Sequence, residues 1–273
     1  MADSIYTLHN GFDISLNSRS NATSIRPEHL HNYYEIYYLS AGKATHFMDS
    51  EILKLQAGDL VLIEKGLIHK TIYEVGEFSE RILVCFTEEF IGTEYQSLLK
   101  ELGSRKYFSL SAPKQLDVKS LLKKIYSEYS KKQSEYLKMC KNLLGELLIA
   151  LYRQHPNEQE KPLSGNESVI QSAAKYIAEN FSEPLTLPSL AARYAMSPSY
   201  FSKTFKALTG FGVNEYINIT RIAEAENLLL SGCLSITETA ARCGFNDSNY
   251  FAAVFKKKKG ITPYKFSAIN RQK

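Results

Sequence analysis

Short apolar runs typical of β-strands occupy the chain up to about Phe90. They span residues 33–39, 59–63 and 81–86 and are rich in Tyr, Ile, Val and Leu. Several short strands at this spacing predict an all-β barrel or sandwich. The runs are separated by glycines that favour turns, namely Gly42, Gly58, Gly66 and Gly76.

The pattern becomes helical from about Gln115 to Arg153. Apolar residues recur there at three- and four-residue steps, which is typical of a helix with a wide apolar face. That face either caps the barrel or forms a dimer surface, and the sequence leaves both readings open. The residues that define it are Leu137, Cys140, Leu144, Leu147, Leu148 and Leu151.

A polar segment at 154–167, rich in Pro, Gly and Asn, is typical of a linker. The remainder has the pattern of helices joined by short turns. We therefore predict two main domains, an all-β barrel with appended helices followed by an all-α domain. The expected boundaries are 1–110 for the barrel, 111–155 for a helical dimerisation region, 156–167 for the linker and 168–273 for the last domain.

The most informative feature of the last domain is an internal repeat. The stretch YFSKTFK at 200–206, followed by Gly210, recurs as YFAAVFK at 250–256, followed by Gly260. Each copy fits a helix-turn-helix unit, in which a capped second helix buries its aromatic residues. Ser197 caps the first copy and Asp247 or Asn246 the second. An ordinary helical hairpin would explain one copy, but two matching copies favour a pair of helix-turn-helix units.

The helix predicted between the copies, residues 213–231, is long and amphipathic. Such a helix would hold the two helix-turn-helix units at a fixed separation. That separation suits successive turns of the major groove of DNA, which are roughly 34 Å apart. Charge agrees with this hypothesis. From Ser168 onward there are 13 Lys and Arg against 7 Asp and Glu, whereas the rest of the chain has 20 against 22. A basic domain on a slightly acidic remainder indicates a polyanion partner for that domain alone.

We expect a cytoplasmic protein with no membrane partner, because residues 1–10 lack the features of a secretory signal and no apolar run is long enough to cross a bilayer. The four scattered cysteines form no CxxC pair and are expected to be reduced.

The last third resembles the DNA-binding domain of AraC-type transcription regulators, from about Val169 to Ile269. The resemblance implies a seven-helix DNA-binding domain, a homodimer, and recruitment of RNA polymerase as an activator. Its most specific stretch is Ile236-x3-Ala240-x3-Gly244-Phe245-x4-Tyr250-Phe251-x3-Phe255-Lys256-x3-Gly260-Ile261-Thr262-Pro263.

The resemblance and the helical pattern together indicate which residues contact double-stranded DNA. Ala253, preceded by Ala252, stands where the family usually has a long polar side chain that contacts bases, so we expect the first unit to carry more of the specificity. The expected base contacts are Ser199, Ser202, Lys203, Ser248 and Asn249, and the expected phosphate contacts are Lys206, Lys256 and Lys257.

Two short motifs near the N-terminus resemble those of cupins. The first is His29-x-His31-x3-Glu35-x6-Gly42, and the second leads from Gly58 to His69. Residues 29 to 37 alternate in a strand, so the odd-numbered ones share a face. The expected effector pocket comprises His29, His31, Tyr33, Glu35, Tyr37 and His69, which suits a hydroxylated small molecule such as a sugar.

The favoured interpretation is a ligand-responsive, sequence-specific transcription regulator that is not an enzyme and holds no cofactor. The main alternative is a metal-dependent cupin enzyme or metal sensor fused to a DNA-binding tail. In that alternative His29, His31, Glu35 and His69 hold a divalent transition metal. A further alternative is an architectural protein that binds every duplex equally.

Overall fold

The computed structural model describes residues 8–19, 31–74, 76–154, 163 and 165–270. The described residues form two compact units. Most residues up to 154 belong to the first unit, and the residues from 163 onward belong to the second, together with Asp49–Ile52. The first unit is β-rich with appended helices, and the second is helical from residue 165 onward, so the predicted fold class is confirmed. No helix in the described ranges is long and apolar enough to cross a membrane.

The β-rich unit contains two sheets. A five-stranded sheet has the order β1-β7-β2-β5-β8, and a three-stranded sheet has the order β4-β3-β6. The three sequence runs predicted as strands correspond to β2, β5 and β7. The strands are β1 Phe12–Arg19, β2 Tyr34–Ala41, β3 Lys43–Met48, β4 Glu51–Gln56, β5 Leu60–Ile63, β6 His69–Tyr73, β7 Ser79–Phe86 and β8 Tyr107–Phe108.

Strand β2 is central because it is buried on both faces. Its even-numbered residues, such as Ile36 and Tyr38, pack with the helices of this unit. Its odd-numbered residues, such as Tyr37 and Leu39, pack with Met48 of the other sheet. Successive side chains of a strand point to opposite faces, so one strand serves two cores.

Four helices follow or flank these strands: α1 Glu88–Ile91, α2 Gln96–Arg105, α3 Ala112–Lys131 and α4 Tyr136–Tyr152. The stretch from Gln115 to Arg153 is thus two helices. The break between them contains Lys132 and Glu135, both with positive φ.

The apolar face predicted on α4 packs against its own subunit. Cys140, Leu144, Leu147, Leu148 and Leu151 are fully buried in the core that also contains the five-stranded sheet. The first of the two sequence readings, a cap on the barrel, therefore describes these residues. Dimerisation through 111–155 stays a prediction and would have to use other side chains, since only Leu116 and Met139 among its large aliphatic residues are strongly exposed.

The helical unit has seven helices within residues 165–270. The first begins at Gly165, so the end of the predicted linker is helical, whereas residues 156–162 and 164 lie outside the described part. The helices are α5 Gly165–Glu179, α6 Leu187–Arg193, α7 Pro198–Thr209, α8 Val213–Ser231, α9 Ile236–Arg242, α10 Ser248–Lys259 and α11 Pro263–Asn270.

Helices α7 and α10 begin and end in the same way. The side chain of Ser197 accepts a hydrogen bond from the Tyr200 amide, and that of Asp247 accepts one from the Asn249 amide. Such caps satisfy amide groups that the first helical turn leaves without partners. Both helices end at a left-handed glycine, Gly210 or Gly260. The internal repeat in the sequence is therefore a repeat in structure.

Aromatic residues hold the second helix-turn-helix unit together. Phe251 is fully buried and packs edge-on against Phe255, with ring centroids 5.7 Å apart. We expect Phe251→Ala to lower the free energy of unfolding of the helical unit by about 3–5 kcal/mol, because it removes a buried ring and leaves a cavity. Urea denaturation followed by circular dichroism measures this loss. Tyr264→Ala is the control, since that side chain is 72% exposed; equal losses in both variants would contradict the assignment.

Candidate nucleic-acid interface and interior polar site

The outer face of α7 carries the residues predicted to read bases. Phe201 and Phe205 are fully buried, which turns Ser199 and Lys203 outward into solvent. Ser202 is half-buried, and Lys206 is exposed in the next turn. This face thus combines the hydroxyl groups of two serines with the cations of two lysines.

Helix α10 presents the corresponding face of the second unit. Ser248 and Asn249 are exposed in its first turn. Ala253 is also exposed, but its methyl group can offer only an apolar contact to a base. The second face is therefore poorer in hydrogen-bonding groups than the first.

The four lysines that end α10 divide into two pairs. Lys256 and Lys257 are exposed. Lys258 lies 3.9 Å from a Glu215 carboxylate oxygen, and Lys259 forms an ion pair with Glu226. Both acids belong to α8, so the last two lysines attach α10 to the long helix. Sequence inspection alone does not separate the four, because they form one uninterrupted run.

Two tyrosines lie at matching positions of the repeat. Tyr200 and Tyr250 are about half exposed and lie in the first turns of α7 and α10. Asn166 donates to the hydroxyl of Tyr200 at 2.7 Å, and Asn218 donates to that of Tyr250 at 3.0 Å. Sequence reasoning assigned these tyrosines no role, although both belong to the repeated Tyr-Phe pair. Their hydroxyl groups are held in place beside the expected base contacts.

A second polar group of residues lies inside the β-rich unit. His31, Glu35 and His69 are all buried, and each offers a ligand atom within 4.8 Å of the others. The His31 Nε2 atom lies 3.4 Å from the Glu35 Oε2 atom. Tyr33 stacks on the His31 ring, with centroids 3.9 Å apart. The structure thus brings together these residues of the predicted pocket, whereas His29 lies outside the described residues.

The orientation of the imidazole rings is set by their Nδ1 atoms. Nδ1 of His31 donates to the Tyr33 carbonyl oxygen at 2.8 Å, and Nδ1 of His69 donates to that of Leu67 at 2.9 Å. A carbonyl oxygen only accepts, so a neutral ring keeps its proton on Nδ1 and its lone pair on Nε2. Both Nε2 atoms are therefore suited to act as ligands.

His46 is a third interior histidine, which the sequence motifs did not indicate. It lies on β3, is fully buried, and contacts Thr71 Oγ1 through Nδ1 at 3.0 Å. Its ring is 6.0 Å from that of His69 and nearly parallel to it. Burial lowers the pKa of His46 to about 3, with a smaller contribution from His69, and burial also lowers the pKa of His69. Both rings are therefore neutral near pH 7.

An arginine and two tyrosines complete the interior polar site. The hydroxyl groups of Tyr37 and Tyr73 are 3.0 Å apart, and Nη1 of Arg81 donates to the Tyr73 hydroxyl at 2.9 Å. Burial raises the pKa of Tyr37 well above its usual value. The pocket expected from the sequence included Tyr37 but not Tyr73 or Arg81. The available signal was a lone charged residue at the start of the apolar run from Arg81 to Phe86.

Comparison with known proteins identifies both units. The model of an AraC-like ligand binding domain matches residues 11–148, and that of a helix-turn-helix domain matches residues 190–268. The first match alone spans half of the chain. The chain belongs to the AraC family. This confirms the resemblance found in the sequence and makes the protein a DNA-binding regulator with a ligand-binding domain.

Individual relatives of this AraC-family chain are distant. HTH-type transcriptional activator RhaR of Escherichia coli is 23% identical over 249 residues, which cover 90% of this chain and 88% of the relative. RhaR of Salmonella schwarzengrund is 23% identical over 248 residues, with the same coverage. Among solved structures, the C-terminal domain of AraT from Geobacillus stearothermophilus is 33% identical. That match covers 40% of this chain and 89% of that domain, with a TM-score of 0.37.

The division of the four lysines predicts different effects on DNA binding. Lys257→Ala removes an exposed cation, so we expect the dependence of log affinity on log salt to fall by about 0.9 if one phosphate contact is lost. Lys258→Ala removes a cation already paired with Glu215, so this slope should not change. Fluorescence anisotropy of a labelled duplex at several salt concentrations measures both slopes. An equal reduction of the salt slope in both variants would show that Lys258 contacts DNA despite its ion pair with Glu215.

Proposed function

We propose that this AraC-family regulator activates transcription of nearby operons when a small molecule binds inside its β-rich domain. The observation that supports this proposal most directly is that one chain combines two capped helix-turn-helix units with a buried cluster of His, Glu, Tyr and Arg side chains. The relatives named RhaR are described as activators, which supports the positive sign of regulation. The protein then acts in the cytosol as a homodimer, recruits RNA polymerase, and performs no catalysis.

DNA reading is assigned mainly to α7. Lys203 can donate to guanine O6 and N7, and Ser199 and Ser202 can pair with either base type. On α10, Asn249 suits adenine, but Ala252 and Ala253 add only apolar contacts. The two units occupy adjacent major grooves, with α8 between them. Most of the sequence discrimination therefore comes from the first unit, and Lys206, Lys256 and Lys257 add affinity through phosphates.

The effector is a small polar molecule, and a sugar is the first class to test. Aromatic rings at Tyr33 and Tyr37 can stack on a sugar face, while Glu35 and the interior histidines can bind hydroxyl groups. Binding shifts an existing equilibrium between two arrangements of the DNA-binding domains.

A titration against genomic fragments, including the region upstream of the protein's own coding sequence, tests this function. We expect at least one fragment to bind about a thousandfold more tightly than competitor DNA, with a footprint over two adjacent major grooves. Lys203→Ala should reduce this ratio, whereas Lys100→Ala should leave it unchanged, since Lys100 is an exposed residue of α2 in the other unit. Uniform, steeply salt-dependent binding to all fragments would instead support an architectural DNA binder.

A second candidate function is sensing of a divalent transition metal, or metal-dependent chemistry, in the same domain. The donors fit: one ligand atom each of His31, Glu35 and His69 lie within 4.8 Å of one another, and the carbonyl contacts at Nδ1 orient both rings and leave Nε2 as the ligand atom. Two imidazoles and one carboxylate leave open positions for further ligands. A bound metal would supply Lewis-acid polarisation of a ligand oxygen.

Equilibrium dialysis of the full chain with Zn²⁺ or Ni²⁺ tests the metal hypothesis. One metal per chain is expected if these residues form a site, and His69→Ala should weaken binding by at least about tenfold. The control is His9→Ala, which changes an exposed histidine. Stoichiometric binding that survives His69→Ala, or no binding by the original protein, would rule out this site.

A further inference from the structure

Arg81 is an unusual residue for the inside of a β-rich domain. It lies on β7 opposite Leu39 of β2 and is only 6% exposed. Its guanidinium carbon is 5.7 Å from the Tyr37 ring centroid and 5.8 Å from that of Tyr73. The odd-numbered face of β7 continues with Leu83, which packs in the core between the two sheets. Arg81 therefore points into the interior, and the two rings limit where its guanidinium can lie.

The hydrogen bonds of Arg81 leave one edge of the guanidinium open. Nη1 donates to the Tyr73 hydroxyl at 2.9 Å. Nε and Nη2 are buried and have no hydrogen-bond partner among the described residues. In a guanidinium group, the N–H bonds of Nε and Nη2 point in parallel from the same edge. This is the pair of donors that binds both oxygens of a carboxylate.

The charge of Arg81 also has no paired carboxylate among the described residues. It forms no ion pair with a carboxylate in the part of the chain that the structure describes. Its charge is one of the smaller contributions that lower the pKa of His46, and the Glu35 carboxylate acts in the opposite direction. Buried polar groups in native proteins almost always have partners, and a buried charge without one is strongly unfavourable. Such a residue is expected where a ligand supplies the missing acceptor.

We infer that the effector of this regulator carries a carboxylate group, which Arg81 binds through Nε and Nη2. The inference rests on the proposed function, since it assumes that the small molecule binds inside the β-rich domain. It narrows the effector from hydroxylated molecules in general to small carboxylic acids, of which sugar acids are one group. Tyr73 acts as a positioning residue, because it holds Nη1 and thereby aims the opposite edge of the guanidinium.

The first test needs no knowledge of the effector. Arg81→Met replaces the unpaired charge by an apolar side chain of similar length, so the ligand-free protein should melt at the same or a higher temperature. Arg105→Met is the matched control. Arg105 donates to the carbonyl oxygens of Tyr152 and Gln154 at 3.1 and 2.8 Å, so its loss should lower the melting temperature. A fall of several degrees in Arg81→Met would show that Arg81 is structural and would overturn the inference.

The second test compares acids with matched neutral compounds on the full chain. The probes are galacturonate against galactose and hexanoate against hexanamide, with inorganic phosphate as a further anion. We expect at least one carboxylate, but not its neutral partner, to raise the melting temperature and to change affinity for the bound genomic fragment. Arg81→Met and Arg81→Lys should weaken its binding by at least about tenfold, because neither side chain offers the paired donors.

The outcomes separate this inference from the proposed function. A neutral sugar that changes DNA affinity equally in the original protein and in Arg81→Met would support effector control but overturn the carboxylate assignment. Phosphate binding through Arg81 without carboxylate binding would also overturn it. If no compound binds inside the domain while one genomic fragment is still bound specifically, the inference fails. The protein is then still a sequence-specific DNA-binding regulator. If specific DNA binding is itself absent, the proposed function fails as well.

Discussion

Strand β2 is packed on one side against helices and on the other against a second sheet, and the rest of the β-rich domain depends on this two-sided burial. The helix side contains Ile36 and Tyr38, which join the apolar core formed with α3 and α4. The other side contains Glu35 and Tyr37, at the interior polar site. Because side chains alternate strictly along a strand, a shift of one residue in its pairing would exchange these two sets. The hydrogen-bonded register with β5 and β7 therefore determines that Glu35 and Tyr37 face the second sheet and not the helices.

The interior polar site illustrates how a domain tolerates buried polar groups. His31 and His69 direct Nδ1 to carbonyl oxygens, and His46 and His69 have lowered pKa values because they are buried. Uncharged imidazoles avoid most of the cost of desolvation. Arg81 cannot avoid the cost of desolvation in this way, since a guanidinium group stays protonated in proteins. The same interior therefore contains two neutral imidazoles, those of His46 and His69, and the positive charge of Arg81.

The helical unit uses its aromatic residues to determine which side chains face outward. Phe201 and Phe205 bury one side of α7, and Phe251 and Phe255 do the same for α10. The exposed faces follow from this packing, because a helix has only one side left when the other is buried. Ion pairs with α8 then withdraw Lys258 and Lys259 from the cationic end of α10. The two units consequently use similar aromatic packing but differ in the side chains that they expose.

Local patterns in the sequence determined much of this description. Hydrophobic periodicity predicted three of the strands and the helical region that follows them, and the repeated Tyr-Phe motif with its capping residues predicted two helix-turn-helix units. These signals are local, since each depends on residues within a few turns of one another. Strand alternation placed His31, Glu35 and Tyr37 on one face, and the resemblance to cupin motifs added His69 to this group.

Other features depend on residues distant in sequence, and only the tertiary structure decided them. His46, Tyr73 and Arg81 join the interior polar site from three different strands, and no motif connects them. The apolar face of α4 fits equally a barrel cap or a dimer surface until its neighbours are known; it packs on its own subunit. The partners of Lys258 and Lys259 lie on another helix. The physical reason is the same in each case: burial, pairing and free hydrogen-bond donors are properties of the surroundings, which the chain creates only when it folds.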